Sequence, residues 1–215
     1  FNPSLGVWVP KAPMRQARFW HGVAALSGVL YAVGGRSGTN ILATMEAYNP
    51  EQNEWTDCPA MSTARWGLGV AVLDGVLYAC GGAGGRNVVE VYDPSQQAWT
   101  TLSPMPAGRL GLGVAAVGGL LYACGGFDEN EALSSSVFSY SPSTDQWKEE
   151  PPMNCVRQFF GLVSANGLLY AVGGSGQEAG KSAEVFDPTT GVWTMLAEMP
   201  TTRKRFALVH VHDEE

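Results

Sequence analysis

The hexapeptide LYAVGG at residues 30–35 decides the fold, because the chain repeats it three more times. LYACGG stands at 77–82 and again at 121–126, and LYAVGG returns at 169–174. The glycine pairs that close these hexapeptides lie 47, 44 and 48 residues apart along the chain. A segment that recurs at a nearly fixed period is the signature of a repeat architecture.

Three further markers recur in phase with the hexapeptide: a tryptophan, an aromatic-x-Pro triplet and a Met-x-x-x-Arg segment. Because four independent markers share one phase, the chain consists of units of about 46 residues. We predict a single domain over 1–215, with units at 19–62, 63–106, 107–154 and 155–200 and partial units at 1–18 and 201–215. The tryptophans are Trp8, Trp55, Trp99, Trp147 and Trp193, and the triplets begin at Tyr48, Tyr92, Tyr140 and Phe186.

Each unit predicts four β-strands, called a to d in chain order. In the second unit, WGLGVAVL (66–73) alternates in the period of a strand, and Asp74–Gly75 is a pair typical of a two-residue hairpin. VLYACGG, VVEVYDP and AWTTLSP then supply strands b, c and d. Because such a sheet is apolar on both faces, the sheets must pack face to face around an axis. This predicts an all-β propeller without helices.

The hexapeptide itself belongs to strand b of each unit. We expect its tyrosine to pack between neighbouring sheets, and its glycines to end the strand where the backbone approaches a neighbour closely. The tryptophan of strand d is predicted to fill space between sheets as well.

The glycine pair, the preceding tyrosine, the Tyr-x-Pro and the tryptophan together resemble the kelch repeat over nearly the whole chain. Residues 61–82 are similar to the C-terminal domain of kelch-like (BTB-kelch) adaptor proteins. This resemblance implies a β-propeller that captures substrates for a cullin-type E3 ubiquitin ligase. The cullin would be bound through a BTB domain that this sequence does not contain.

The two ends of the chain predict a partial closing blade. Residues 1–3 and the segment around Trp8 correspond to the end of strand c and to strand d, and residues 205–211 correspond to strand a. The strands that would join them are lacking from the sequence. We therefore expect four complete four-stranded blades within an N-terminally truncated ring of five or six blades. Its open sheet faces would be apolar and prone to associate.

Composition and charge exclude several classes of function. A net charge of −7 disfavours nucleic acid as a partner, and no apolar run is long enough to cross a membrane. The four cysteines lack the spacing of disulfide or metal sites, which favours a reducing compartment, the cytoplasm and also the nucleus. His210 and His212 share a strand face but lack a third ligand. We therefore predict no enzyme activity, no metal and no cofactor.

Strand direction predicts where a ligand binds. In a meander, the d–a connections and b–c loops lie on one rim, and all nine arginines map to it, whereas Glu51 and Asp187 belong to the opposite, acidic rim. Arginines beside aromatic residues are typical of interface hot spots and bind carboxylates bidentately. We predict a protein or acidic peptide on this rim, bound by Arg18, Arg36, Arg65, Arg86, Arg109, Arg157, Arg203, Arg205, Phe19, Trp20, Trp66 and Phe159.

Other interpretations stay open. Glu46, Glu90 and Glu184 recur two residues before the aromatic of the triplet, so Arg–Glu pairs can instead tie strand a to strand c. The rim aromatics can equally pack between blades. A small-molecule or enzymatic site in the axial channel, or an actin or other cytoskeletal scaffold, are the alternative functions.

Overall fold

Four antiparallel sheets of four strands each form the main body of the described chain. The computed structural model describes Asn2 and residues 6–210, and no helix occurs among them, as the sequence predicts. Blade 1 contains β1 (Gly22–Leu26), β2 (Val29–Val33), β5 (Met45–Asn49) and β6 (Glu54–Cys58), with a short hairpin of β3 (Arg36–Ser37) and β4 (Asn40–Ile41) in its b–c loop.

The remaining three blades follow the same plan. Blade 2 contains β7 (Gly69–Leu73), β8 (Val76–Cys80), β9 (Val89–Asp93) and β10 (Ala98–Thr101). Blade 3 contains β11 (Gly113–Val117), β12 (Leu120–Cys124), β13 (Val137–Ser141) and β14 (Gln146–Glu150), and blade 4 contains β15 (Gly161–Ala165), β16 (Leu168–Val172), β17 (Ala183–Asp187) and β18 (Val192–Met195). In every blade the strands pair in chain order, so each sheet is a meander.

The a–b turns confirm the hairpin prediction. In blade 1, Leu26 pairs with Val29, which leaves Ser27 and Gly28 as a two-residue turn. Both turn residues have positive φ, 51° and 78°, and the equivalent pairs of the other blades have the same left-handed conformation. This backbone matches the right-handed twist of the flanking strands, and it explains why Gly, Asp, Asn and Ser occupy these positions.

Three hydrophobic cores lie between successive blades. Tyr31 and Val33 of blade 1 pack against Leu77, Ala79 and Tyr92 of blade 2, and the next two junctions repeat this arrangement. The ring centroids of Tyr31 and Tyr92 are 6.0 Å apart, and Tyr78 with Tyr140 and Tyr122 with Phe186 give 6.3 and 5.9 Å. The prediction that the tyrosine of the hexapeptide packs between blades is confirmed for blades 1 to 3.

The glycine pair of the hexapeptide joins each blade to the following one. The Gly35 amide donates to the Arg65 carbonyl at 2.8 Å, and Gly82, Gly126 and Gly174 donate to the matching arginines of the next units. A Cβ on Gly34 would lie 2.7 Å from the same Arg65 carbonyl oxygen. Glycine is required here because φ is positive and a neighbouring backbone is close.

The two end segments do not form the predicted strands d and a of a closing blade. Near the N-terminus, Val7 makes only an isolated bridge to Asn2, and Trp8 is 83% exposed. Residues 205–210 contain no strand, and residue 211 lies outside the described residues. Among the described residues, neither segment belongs to a four-stranded sheet. Leu208 nevertheless packs on Gly161 of blade 4. This is the contact that Val70 of blade 2 makes with Gly22 of blade 1.

The inner strand of blade 1 is open on the face that points away from blade 2. Val23 is 48% exposed, whereas the equivalent Val114 of blade 3 is 8% exposed because it packs on Gly69 of blade 2. The side chain of Ala25 is also exposed on β1. The inner edge of an apolar sheet face is therefore open, which agrees in part with the prediction of open apolar faces.

Candidate functional site

The d–a connections and b–c loops meet in every blade. An isolated bridge joins Phe19 to Arg36 in blade 1, and bridges at the equivalent positions join Trp66 to Ala83, Leu110 to Phe127 and Gln158 to Ser175. These paired segments form one surface, which we call the d–a/b–c rim. The predicted placement of both sets of loops on one side is confirmed.

Four of the five arginines of the Met-x-x-x-Arg segments are buried in the blades rather than exposed on this rim, and the fifth, Arg203, is exposed. Arg65 is fully buried, and its guanidinium binds Glu90 at 2.8 Å and the carbonyls of Gly81 and Val88. Arg18 and Arg157 are likewise buried and bind Glu46 and Glu184 at 2.6 and 2.9 Å. Burial lowers the pKa of Arg65, and the Glu90 carboxylate acts against this shift. The Arg–Glu alternative derived from the sequence is therefore confirmed in these three blades.

Arg109 is also buried, although it has no glutamate beside it. Its guanidinium lies over the Phe138 ring and donates to Ser136 Oγ at 2.6 Å. Because the side chains of Arg18, Arg65 and Arg157 are buried and paired with glutamates within the blades, they are not presented to a ligand. This corrects the predicted site: these three arginines brace the blades instead of binding a peptide, and Arg109 lies within blade 3 beside Ser136.

The residues two positions after the repeat arginines form a row around the axis, which we call the axial row. Gly67 N donates to Trp20 O, and Gly111 N donates to Gly67 O, both at 2.8 Å. Phe159 N donates to Gly111 O at 2.8 Å, and Arg205 N donates to Phe159 O at 3.0 Å. The backbone of the axial row thus links five successive units by hydrogen bonds.

Every residue of the axial row has positive φ, yet only two of them are glycine. Gly67 and Gly111 have φ of 65° and 68°, whereas Trp20, Phe159 and Arg205 have φ of 53°, 47° and 56°. A bulky residue in this conformation costs roughly 1–3 kcal/mol, and such strain is concentrated at functional sites. The large side chains of Trp20, Phe159 and Arg205 are therefore held at the axis at the expense of stability.

These side chains form a continuous aromatic cluster with arginines at its edges. The Trp20 ring stacks on Trp66 at 4.8 Å and on Phe159 at 6.4 Å between centroids, and Phe19 meets Trp20 edge-on at 4.9 Å. The exposed Arg205 lies over Trp20 and Phe159 at 5.6 and 5.3 Å, and Arg36 lies over Trp66 at 5.7 Å. We call this set the axial cluster.

A cavity of about 370 Å³ opens beside the axial cluster, lined in part by Trp20, His21, Phe159 and Arg205. His21 stands where the other units have Leu68, Leu112 and Phe160, and its buried Nδ1 makes no hydrogen bond. Burial, and secondly the Arg18 charge, lower its pKa, so the imidazole is neutral at physiological pH. Sequence reasoning did not assign His21 to the site, although a histidine among apolar equivalents is a visible signal.

The charges on the rim are less uniform than the sequence predicts. Arg15 binds Glu54 and Asp57 on the outer strand of blade 1 and so does not face the rim. Arg86, in the b–c loop of blade 2, donates to the Asp128 carbonyl in the b–c loop of blade 3. The loop of blade 3 also carries Glu129 and Glu131. Arg203 and Lys204 are exposed beside Arg205. The positive side of the rim therefore runs along the axial cluster, whereas the b–c loop of blade 3 is acidic.

Comparison with known proteins identifies the repeat. The family model described as the Kelch motif matches residues 18–62, 64–106, 108–154 and 157–200. The chain belongs to the kelch-repeat family. The solved structure described as "Structure of YjhT" aligns with a TM-score of 0.77 and 16% identity, covering 88% of this chain and 73% of that chain, which shows the shared fold alone. No curated protein matches the sequence. Kelch propellers commonly serve as scaffolds for protein interaction.

The sequence raises the question of metal ligands, membrane-spanning helices and cysteines, and the structure of this kelch propeller bears on all three. Among Asn2 and residues 6–210, no group of three or more His, Cys, Asp or Glu side chains is placed to hold a metal ion; His212 lies outside that part of the chain. No helix of the described chain is long and apolar enough to cross a membrane. All four cysteines are free, and burial raises the pKa of Cys80 to about 12.

Proposed function

We propose that the d–a/b–c rim is a protein-binding surface centred on the axial cluster. The observation that carries this proposal is the strained backbone of Trp20, Phe159 and Arg205 at positions that blades 2 and 3 fill with glycine. Folding alone favours glycine at these positions, so the large side chains serve another purpose. Together they present aromatic faces with two arginines, the composition of an interface hot spot.

The chemistry of the cluster favours an acidic segment as the ligand. Arg36 and Arg205 lie over rings, and a guanidinium stacked in this way keeps the N–H groups of its edge available for a carboxylate. Phe19, 43% exposed, together with Trp66 offers apolar surface between the two arginines. We infer an extended peptide or a turn in which an apolar residue lies between Asp or Glu residues.

The wider role proposed for this surface is substrate recognition for a cullin-type ubiquitin ligase, in the cytoplasm or nucleus. The resemblance of residues 61–82 to BTB-kelch adaptors supports it. That role requires a cullin-binding domain encoded next to this segment. Co-purification of a cullin with the protein translated from the whole gene tests it directly, and a gene that encodes no such domain would contradict it.

Selection from a random peptide library tests the binding surface. We expect enrichment of Asp and Glu around an apolar residue. Arg36→Ala and Arg205→Ala should each weaken the selected peptides by about 1–3 kcal/mol, the range for losing a charge-assisted contact. Arg15→Ala is the matched control, since it removes the same charge from the outer strand, away from the rim.

Two outcomes would contradict the proposal. If Arg15→Ala weakens binding as much as Arg205→Ala does, the attraction follows overall charge and not this surface. If the selected peptides are basic, or bind equally well when both rim arginines are replaced, the axial cluster is not the binding site. Melting temperatures of all three variants show whether folding is preserved.

A further inference from the structure

Blade 3 differs from the other blades at one position of strand c. Glu46, Glu90 and Glu184 occupy this position in blades 1, 2 and 4, and each binds the buried arginine of its blade. In blade 3 the residue is Phe138. The repeat arginine of that blade, Arg109, therefore lacks the carboxylate that neutralises its three counterparts.

A second substitution accompanies the first. The glutamates also accept a backbone amide from the residue three positions before the arginine: Glu46 from Arg15, Glu90 from Ser62 and Glu184 from Asn154, each at 2.7 Å. In blade 3 this residue is Pro106, which has no N–H group. At this position, therefore, loss of the glutamate leaves no amide unsatisfied, whereas the charge of Arg109 loses its direct partner.

The surroundings of Arg109 compensate this charge only in part. The residue is 8% exposed, and its guanidinium donates to Gly108 O at 3.0 Å and to Ser136 Oγ at 2.6 Å, while Nε has no partner. Burial lowers its pKa, and the charges of Asp128 and Glu129 oppose this shift. Within the described chain, however, no carboxylate lies within salt-bridge distance of it, as the glutamates do for Arg18, Arg65 and Arg157. An arginine remains protonated in such a setting, so the positive charge persists.

Two hydroxyl groups lie beside the guanidinium of Arg109. Ser136 Oγ accepts hydrogen bonds from Arg109 and from Ser134 Oγ, the latter at 2.9 Å, so its own proton is left to donate. Both serines are half-buried at the end of the b–c loop, on the rim side of blade 3. The Asp128 carboxylate of this loop is already held by the amides of Asn130 and Ala132.

We propose that Arg109, Ser136 and Ser134 form an oxyanion-binding site in blade 3, which takes a carboxylate or a phosphate group. A bound oxyanion supplies the negative charge that glutamate supplies in the other blades, and it accepts the free donors of the guanidinium and the serine hydroxyl. A buried charge without a contacting counter-charge is destabilising, which gives the folded protein a reason to bind one. The site does not depend on the axial cluster or on the peptide ligand proposed for it.

The experiment follows the Nε–H resonance of Arg109 by NMR, assigned by its loss in Arg109→Lys. Inorganic phosphate is titrated against sodium chloride of equal ionic strength. We expect a saturable shift of this resonance with phosphate and none with chloride. Phe138→Glu is the matched variant, because it gives blade 3 the residue that blades 1, 2 and 4 carry. It should weaken phosphate binding by about tenfold or more, since the new carboxylate occupies the guanidinium.

Ser136→Ala provides a second variant that keeps both Arg109 and Phe138, so the test does not depend on the folding of Phe138→Glu. It should weaken phosphate binding by about fivefold to tenfold, the effect of one lost hydrogen bond. To separate the two sources of the anion, a short peptide with one Glu is compared with its Gln counterpart. A shift with phosphate alone supports a free ion, and a shift with the Glu peptide but not the Gln peptide supports a side chain of a bound protein.

The proposal is overturned if neither probe shifts Arg109. It is also overturned if phosphate shifts the resonance equally in the original protein, Phe138→Glu and Ser136→Ala. The latter result would mean that phosphate acts on the whole surface. Neither result bears on peptide binding at the axial cluster, which is measured separately with Arg205→Ala.

Discussion

Arg65 and Arg205 come from equivalent d–a connections but occupy opposite environments. Arg65 is fully buried and bound to Glu90 and to backbone carbonyls, whereas Arg205 is exposed and lies over two aromatic rings. Their positions in the repeat differ by only two residues. An arginine in these connections is therefore structural where it is buried against a glutamate of its own blade, and it is available for binding where its side chain lies on the rim. Four substitutions test this difference, and they are given in order of their expected effect on folding stability.

Arg65→Ala should have the largest effect on stability. It leaves the buried Glu90 carboxylate without its counter-charge, and breaking such a pair costs about 3–5 kcal/mol. Urea unfolding measures the loss. The double variant Arg65→Ala/Glu90→Ala should recover part of it, because no carboxylate is then stranded. A loss below about 1 kcal/mol would mean that Arg65 does not brace the blade.

Arg109→Ala should be intermediate, at about 1–3 kcal/mol. The substitution removes hydrogen bonds to Gly108 and Ser136 and a contact with Phe138, but it strands no carboxylate. The same urea titration compares it with Arg65→Ala. If both variants lose the same free energy of unfolding, the stranded glutamate is not the cause of the difference between blades 2 and 3.

Arg15→Ala should have a small effect, about 0.2–1 kcal/mol. Its ion pairs with Glu54 and Asp57 are solvent-exposed, with side chains about half or more accessible. The effect should decrease further in 0.5 M salt, as expected for a screened surface pair. A loss that persists at high salt would instead point to the packing of its aliphatic stem.

Arg205→Gly should change stability least, by less than about 1 kcal/mol, while it weakens the selected peptides. Glycine is the residue of blades 2 and 3 at this position, and it relieves the positive φ. The gain offsets the lost stacking on Trp20 and Phe159. Calorimetric melting and peptide affinity are measured on the same sample. A large loss of stability with unchanged affinity would make Arg205 a structural residue and invert the comparison.

Repetition made the fold predictable from the sequence. The a–b hairpins, the packing of the tyrosine between blades and the close approach at the glycine pair all follow from markers that recur four times, and the structure confirms them. The end segments were predicted less well. The segment around Trp8 matches the sequence pattern of strand d. A strand also needs a hydrogen-bonded neighbour, and a local sequence pattern does not show whether one is present.

The candidate site was only partly predictable. Strand direction placed the loops on one rim, and the aromatics at Trp20, Trp66 and Phe159 were identified correctly as part of that surface. The direction of each arginine side chain was not predictable, because it depends on partners in strand c and the b–c loop, about 25 to 30 residues along the chain. The recurring Glu46, Glu90 and Glu184 contained that information. Phe138 interrupts the recurrence, and this exception marks the proposed anion site.

The hydrogen bond from each glycine pair to the next unit has a consequence for synthesis on the ribosome. The carbonyl that holds Gly35 belongs to Arg65, so the second strand of one blade gains its last contact only after the following connection has emerged. The same delay repeats for Gly82, Gly126 and Gly174. The newest blade on a nascent chain therefore has all four strands of its sheet before the partner of its glycine pair is made, and the contact between blades forms one unit later.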